Sequence, residues 1–139
     1  MTRRVSELPF EEIEHTADYA LRVRGATLDE LFANAARGMI VLSGAVADTS
    51  HPITREIALE APDVETLLVD WLTELVYLME QERLVFVDYR LQTTPTALRG
   101  TLSGGPMREA KRHIKAVTYH NLEVVRRENG FEATVVFDV

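Results

Sequence analysis

The stretch DVETLLVDWLTELVYLMEQER, residues 63–83, limits the fold more than any other part of this 139-residue chain. Val64, Leu67, Leu68, Trp71, Leu75, Leu78 and Met79 recur three and four apart, which is the spacing of one broad apolar face on a helix. Asp63 stands where an N-cap side chain would accept the first free amide protons. Asp70, Glu74, Glu80 and Glu82 fall mainly elsewhere on the surface, and a carboxylate row of this kind reads as a solvated face without chemistry. A helix so apolar on one side has to lie on another layer.

The rest of the sequence supplies a second helix and the layer itself. In ATLDELFANAARGMIVLSG, Thr27 and Glu30 have capping-box spacing, and Leu28, Leu31, Phe32, Ala35, Met39 and Leu42 make a stripe. Gly44 is the expected stop, and Gly38 inside the stripe would let a neighbouring backbone approach. Around these helices the pattern changes to alternation. ITREIALEA places Ile53, Ile57 and Leu59 between polar residues, and LVFVDYRLQ and TALRGTLSG flank a turn at Pro95. The ending, from Ile114 to Val139, reads as two strands joined by Glu128-Asn129-Gly130. No linker or repeat divides the chain, so one domain over residues 1–139 is expected. Its predicted class is α+β, with two main helices packed on a mixed or largely antiparallel sheet.

Composition narrows the function. Fifteen Lys and Arg against 22 Asp and Glu give a net charge of −7, the wrong sign for neutralising phosphates, so stable direct binding of nucleic acid is not expected. The absence of cysteine removes disulfides, thiolate metal sites and cysteine nucleophiles together. No apolar run approaches the roughly 20 residues that cross a bilayer. Met1–Phe10 has no apolar core of signal-peptide length. The expectation is therefore a soluble, cytoplasmic protein without a membrane partner. Phosphate-loop, dinucleotide and nucleophile-elbow motifs are all missing. Gly104-Gly105, ahead of Pro106, reads as a flexible turn. His15, His51, His113 and His120 are scattered, without the i, i+4 spacing of a helical zinc site. Residues 108–115 form a basic island of Arg108, Lys111, Arg112 and Lys115 against Glu109, which reads as a solvated loop or a contact patch.

Two aspartates stand out. Asp18 interrupts the alternation of Phe10, Ile13, Ala20, Leu21 and Val23, inside EHTADYA. Asp138 follows the apolar run TVVF and is next to Val139, whose α-carboxylate would add a further oxygen donor at a native terminus. Hard cations such as Ca²⁺ and Mg²⁺ take oxygen ligands, and adjacent strands would bring these carboxylates together. Solvated carboxylates at strand ends are the plainer alternative.

The same residues carry a resemblance. HTAD at 15–18, DVETLLVDWLTELVYLME at 63–80, IKAVTYH at 114–120 and the final FDV occur in the order found in the archease family, from about Phe10 to Val139. What the resemblance implies is an accessory protein, with no catalytic residues of its own. It would serve the GTP- and metal-dependent RtcB-type RNA ligase of tRNA splicing and RNA repair, promoting guanylylation of the ligase histidine and multiple turnover. It implies a divalent metal ion, Ca²⁺ first with Mg²⁺ or Mn²⁺ as alternatives, held by Asp18, Asp138 and a terminal oxygen of Val139. His15 and Thr16 would orient Asp18. Lys115 and His120 become candidates for partner binding or function. Tyr19 departs from the family pattern, where an aliphatic residue commonly follows HTAD, and so does the short basic segment before Ile114. On a regular strand Lys115 and His120 would point to opposite faces. The competing readings are a free-standing metal-dependent phosphoesterase, which would need a general base or second metal cluster that the sequence does not offer, and a general chaperone-like binding module.

Overall fold

Helix α1 spans Leu28–Ser43 and α2 spans Val64–Gln81, each starting and stopping where its local chemistry dictates. Thr27 Oγ1 accepts from the Glu30 amide at 3.2 Å, and the Glu30 carboxylate accepts from the Ala26 amide at 2.7 Å. The reciprocal arm thus lands one residue earlier than in a standard capping box. Gly44, with φ +67°, ends α1 in the left-handed conformation that glycine adopts most readily. Asp63 caps α2 by accepting from the Thr66 amide at 2.7 Å. The apolar stripes are buried as their spacing predicts except at their first residues, Leu28 and Val64, which are half-buried, and Trp71 is fully enclosed, its indole donating to the Phe32 carbonyl at 2.9 Å. That bond joins the two helices. Gly38 makes room for the side chains of Phe10 and Leu21, not for a backbone.

The computed structural model describes residues 9–13 and 19–139. Its strands form two sheets instead of one, and every pairing is antiparallel. The first sheet contains β1 (Phe10–Ile13), β2 (Tyr19–Gly25), β7 (Ala116–Thr118), β8 (Val125–Arg127) and β9 (Gly130–Asp138). Its order is β1-β2-β9-β7, with β8 also on β9. The second contains β3 (Val46–Ala47), β4 (Ile53–Glu60), β5 (Leu84–Thr94) and β6 (Ala97–Glu109), with β6 pairing to the other three. Helix α1 packs on strands of both sheets, and one continuous apolar cluster draws residues from both sheets and both helices. The α+β expectation holds, with the layer split in two.

Two local expectations are corrected. Gly104 and Gly105 are buried in the middle of β6 and do not form a flexible turn. A Cβ on Gly104 would collide with the Val85 carbonyl, and one on Gly105 with the Asp48 carbonyl. The register of β5 on β6 slips between Phe86 and Asp88, so the neighbouring backbone presses in where only glycine fits. The C-terminal region holds three strands, because the chain leaves the sheet between Thr118 and Val125. Asn121, at φ +50°, turns it there. Among the described residues, no helix is long and apolar enough to cross a membrane.

Candidate functional site

The C-terminal end of β9 is where the expected site residues meet. Apolar alternation draws Val135 and Phe137 into the core and leaves Asp138 exposed at the sheet's end. Antiparallel registers place three other strand ends there. Tyr19, the first residue of β2, pairs with Phe137, while Ala116, the first of β7, pairs with Asp138. Ile13 closes β1 opposite Ala20. The Lys115 amide donates to the Asp138 carbonyl at 2.8 Å, so Lys115 adjoins Asp138 through the backbone. Lys115 and Asp138 are both exposed, whereas Val139 is half-buried against the core.

Asp18, with His15 and Thr16, lies outside the described residues. Among those described, no three His, Asp or Glu side chains are grouped closely enough to hold a metal ion. The Asp138 carboxylate carries no hydrogen bond or ion pair among them. An exposed carboxylate offers the oxygen donors that hard divalent ions take.

Residues 113–121 do not form the regular strand on which Lys115 and His120 would alternate. Strand β7 is three residues long, and both Ile114 and Val117 are buried, three positions apart. Thr118 ends the strand by donating its hydroxyl to the Val136 carbonyl at 3.0 Å while accepting from the His120 amide at 3.3 Å. His120 follows on the turn, where Asn121 Nδ2 lies 3.3 Å from its Nε2. Along the backbone, β7 runs away from Asp138 towards Val136, so Lys115 stands at the near end and His120 beyond the far end.

The basic island divides in two. Lys111 and Arg112 donate their amides to the Ser43 carbonyl at 2.9 and 3.0 Å, and the Arg112 guanidinium donates to the Leu42 carbonyl at 2.7 Å. These are carbonyls left over at the end of α1, where a cation also complements the helix dipole. The same guanidinium sits 4.2 Å from the Tyr19 ring centroid and 3.9 Å from a Glu12 oxygen. Tyr19 and the basic segment, the two departures from the family pattern, therefore touch each other. Sequence spacing had no means of revealing that contact across 93 residues. Arg108, Lys111 and Lys115 are on the surface.

Two other constellations have different characters. Asp48, Ser50 and His51 converge on an exposed loop, with the Ser50 hydroxyl donating to Asp48 at 2.6 Å. Those hydrogen bonds from Ser50 hold the Asp48 carboxyl below its ordinary range. Both Ser50 and Asp48 lie 3.1 Å from His51 Nδ1, so the imidazole cannot relay a proton from one to the other through opposite nitrogens. A cleft of about 1060 Å³, bordered by Arg24, Arg37, Tyr89 and Glu132, lies at the other end of the first sheet, away from Asp138. Glu132 is shared there by Arg24 at 2.9 Å and Arg127 at 3.3 Å.

Comparison with known proteins covers nearly the whole chain. The sequence model of the Archease protein family matches residues 10–139. Protein archease of Methanosarcina barkeri is 37% identical over 142 residues, covering 94% of this chain and 95% of its own. That of Saccharolobus islandicus is 39% identical over 139 residues, covering 94% and 98%. A crystal structure from Thermotoga maritima, described as an archease and possible chaperone, superimposes with a TM-score of 0.69 at 27% identity, over 93% of this chain and 96% of that one. A solution structure of a Methanobacterium thermoautotrophicum protein gives 0.67 at 27%, over 94% and 99%.

Proposed function

The chain belongs to the archease protein family, and from that premise we propose that it is an accessory protein of a GTP-dependent RtcB-type RNA ligase, without catalysis of its own. It promotes guanylylation of the ligase histidine and repeated turnover in tRNA splicing and RNA repair. The working part is an acidic tip in which Asp18, Asp138 and a terminal oxygen of Val139 hold a divalent ion, Ca²⁺ first, with Mg²⁺ or Mn²⁺ as alternatives. Lys115 and His120 are proposed as contacts to the ligase.

The observation that carries this reading is the placement of Asp138. It is exposed at the end of β9, beside the start of the strand that follows HTAD, with Lys115 held next to it. A cation bound there supplies positive charge for phosphate oxygens. The exposure of the Asp138 carboxylate at the end of β9 is what supports this reading.

The test is single-turnover guanylylation of the ligase with this protein, its Asp18→Ala variant and its Asp138→Ala variant. Both variants are expected to keep the wild-type circular dichroism and to lose stimulation. Full stimulation by both would remove the metal tip from the explanation. A chaperone-like reading instead predicts suppression of aggregation of unrelated unfolded chains, independent of either aspartate. A phosphoesterase predicts turnover of a cyclic phosphate by the protein alone.

A further inference from the structure

We propose that the cleft at the Gly130 end of the first sheet binds a small organic oxyanion, a carboxylate or phosphate monoester with an apolar remainder, through the Arg37 guanidinium. Neither aspartate of the proposed tip takes part. At about 1060 Å³ the cleft has room for such a molecule, since small-molecule sites run from roughly 300 Å³ upward. One wall is the seam between α1 and β5. Asp29, Ala33 and Arg37 follow one another four apart on the helix, and so share a face. Beside them, Thr93, Leu91 and Tyr89 are alternate residues of the strand. The Thr93 amide donates to Asp29 at 2.6 Å, and the Arg37 guanidinium lies 5.6 Å from the Tyr89 ring centroid. Ala33 and Leu91 border the cleft as well.

Arg37 is held in place and keeps donors to spare. Asn34 Nδ2 donates to the Arg24 carbonyl at 2.7 Å, and the amide oxygen of the same side chain accepts from the Arg37 guanidinium at 3.1 Å. The Tyr89 ring attracts the cation through its negative face. That ring is itself anchored, because its hydroxyl donates to the Phe86 carbonyl and it meets Trp71 edge-on. Most N–H donors of the guanidinium are left for a ligand, and a planar fork matches the paired oxygens of a carboxylate or phosphate. The carboxylates around the cleft do not compete strongly. Asp29 accepts from the Thr93 amide, Glu30 from the Ala26 amide, and Glu132 from Arg24 and Arg127. Glu128 is on the exposed turn between β8 and β9, where solvent screens it. Among the described residues, Arg37 meets no carboxylate. Ala33, Tyr89 and Leu91 are buried beside it and give the cleft an apolar floor, which favours an organic anion over a bare inorganic one.

Amide NMR titration of the isotope-labelled full chain with phenyl phosphate, benzoate and inorganic phosphate tests this. Phenyl phosphate or benzoate is expected to shift the Ala33, Leu91 and Gly130 amides saturably, with a Kd on the order of 1 mM. Which of the two saturates tells a phosphate ligand from a carboxylate, and inorganic phosphate binds more weakly than phenyl phosphate. Arg37→Ala, at an exposed position, keeps the wild-type melting temperature and weakens binding about tenfold or more, as loss of a charged hydrogen-bond donor does. Arg37→Lys keeps the charge without the fork and recovers only part of that loss. Arg90→Ala removes an exposed guanidinium outside this cleft and leaves affinity unchanged. No saturable shift with any probe, or shifts confined to other surfaces, would overturn the proposal. Equal loss in Arg90→Ala would overturn it too, because the attraction would then be to charge in general. Inorganic phosphate binding as tightly as phenyl phosphate would overturn the organic class of ligand.

Discussion

Gly104 shows how a single residue can be misjudged from its neighbours. Beside Gly105 and Pro106 it has the composition of a turn, yet it is buried in β6 against the Val85 carbonyl. The collision facing a new Cβ is with backbone, which cannot swing aside as a side chain can. Gly104→Ala is therefore expected to destabilise the protein by about 2 kcal/mol, as overpacking of a dense interior does, measured by urea unfolding. Stability within about 0.5 kcal/mol of wild type would show that the β5 bulge relaxes freely. Tyr19 and Arg112 teach the converse. Each is unremarkable in its own segment, and their meaning comes from a contact between distant segments.

At the scale of elements, both helices were legible almost to the residue. Their stripes and caps are local, and the bonds at Thr27, Asp63 and Gly44 form within one turn. The Asp63 cap also makes α2 sensitive to acid. Hydrogen bonding from the Thr66 amide holds the Asp63 carboxyl below the usual carboxylate range. A depressed carboxyl contributes stability that is present above its unfolded value of about 3.9 and lost as pH falls through the folded one. Asp63→Asn keeps an acceptor without the charge, so it should flatten stability against pH below about pH 5, as read by urea unfolding at each pH. An unchanged slope would assign the acid sensitivity to other groups, such as Asp48 and Glu82, which are lowered in the same direction. The final strands were read less well. Ile114 to Arg127 has enough apolar residues for one continuous strand, and only the Thr118 hydroxyl bonds and the Asn121 turn divide it.

For the whole molecule, one apolar cluster runs through both helices and both sheets, with Trp71 at its interior. Neither sheet has a core of its own to fall back on. Urea unfolding followed by Trp71 fluorescence and by far-ultraviolet circular dichroism should therefore give coincident transitions; separate midpoints would show two independently folding parts. The sequence by itself determined the two helices and the α+β class, because periodicity and capping are properties of short segments; it offered Asp18, Asp138 and Val139 as candidates from their chemistry, and Lys115 and His120 through the family resemblance. Tertiary structure decided that the strands form two sheets, that Lys115 and not His120 adjoins Asp138 along the backbone, and that half of a basic island is committed to the end of α1. Those outcomes depend on strand register and on contacts between residues far apart in the chain. Registers are fixed by which apolar faces can be buried together, and no single segment contains that information.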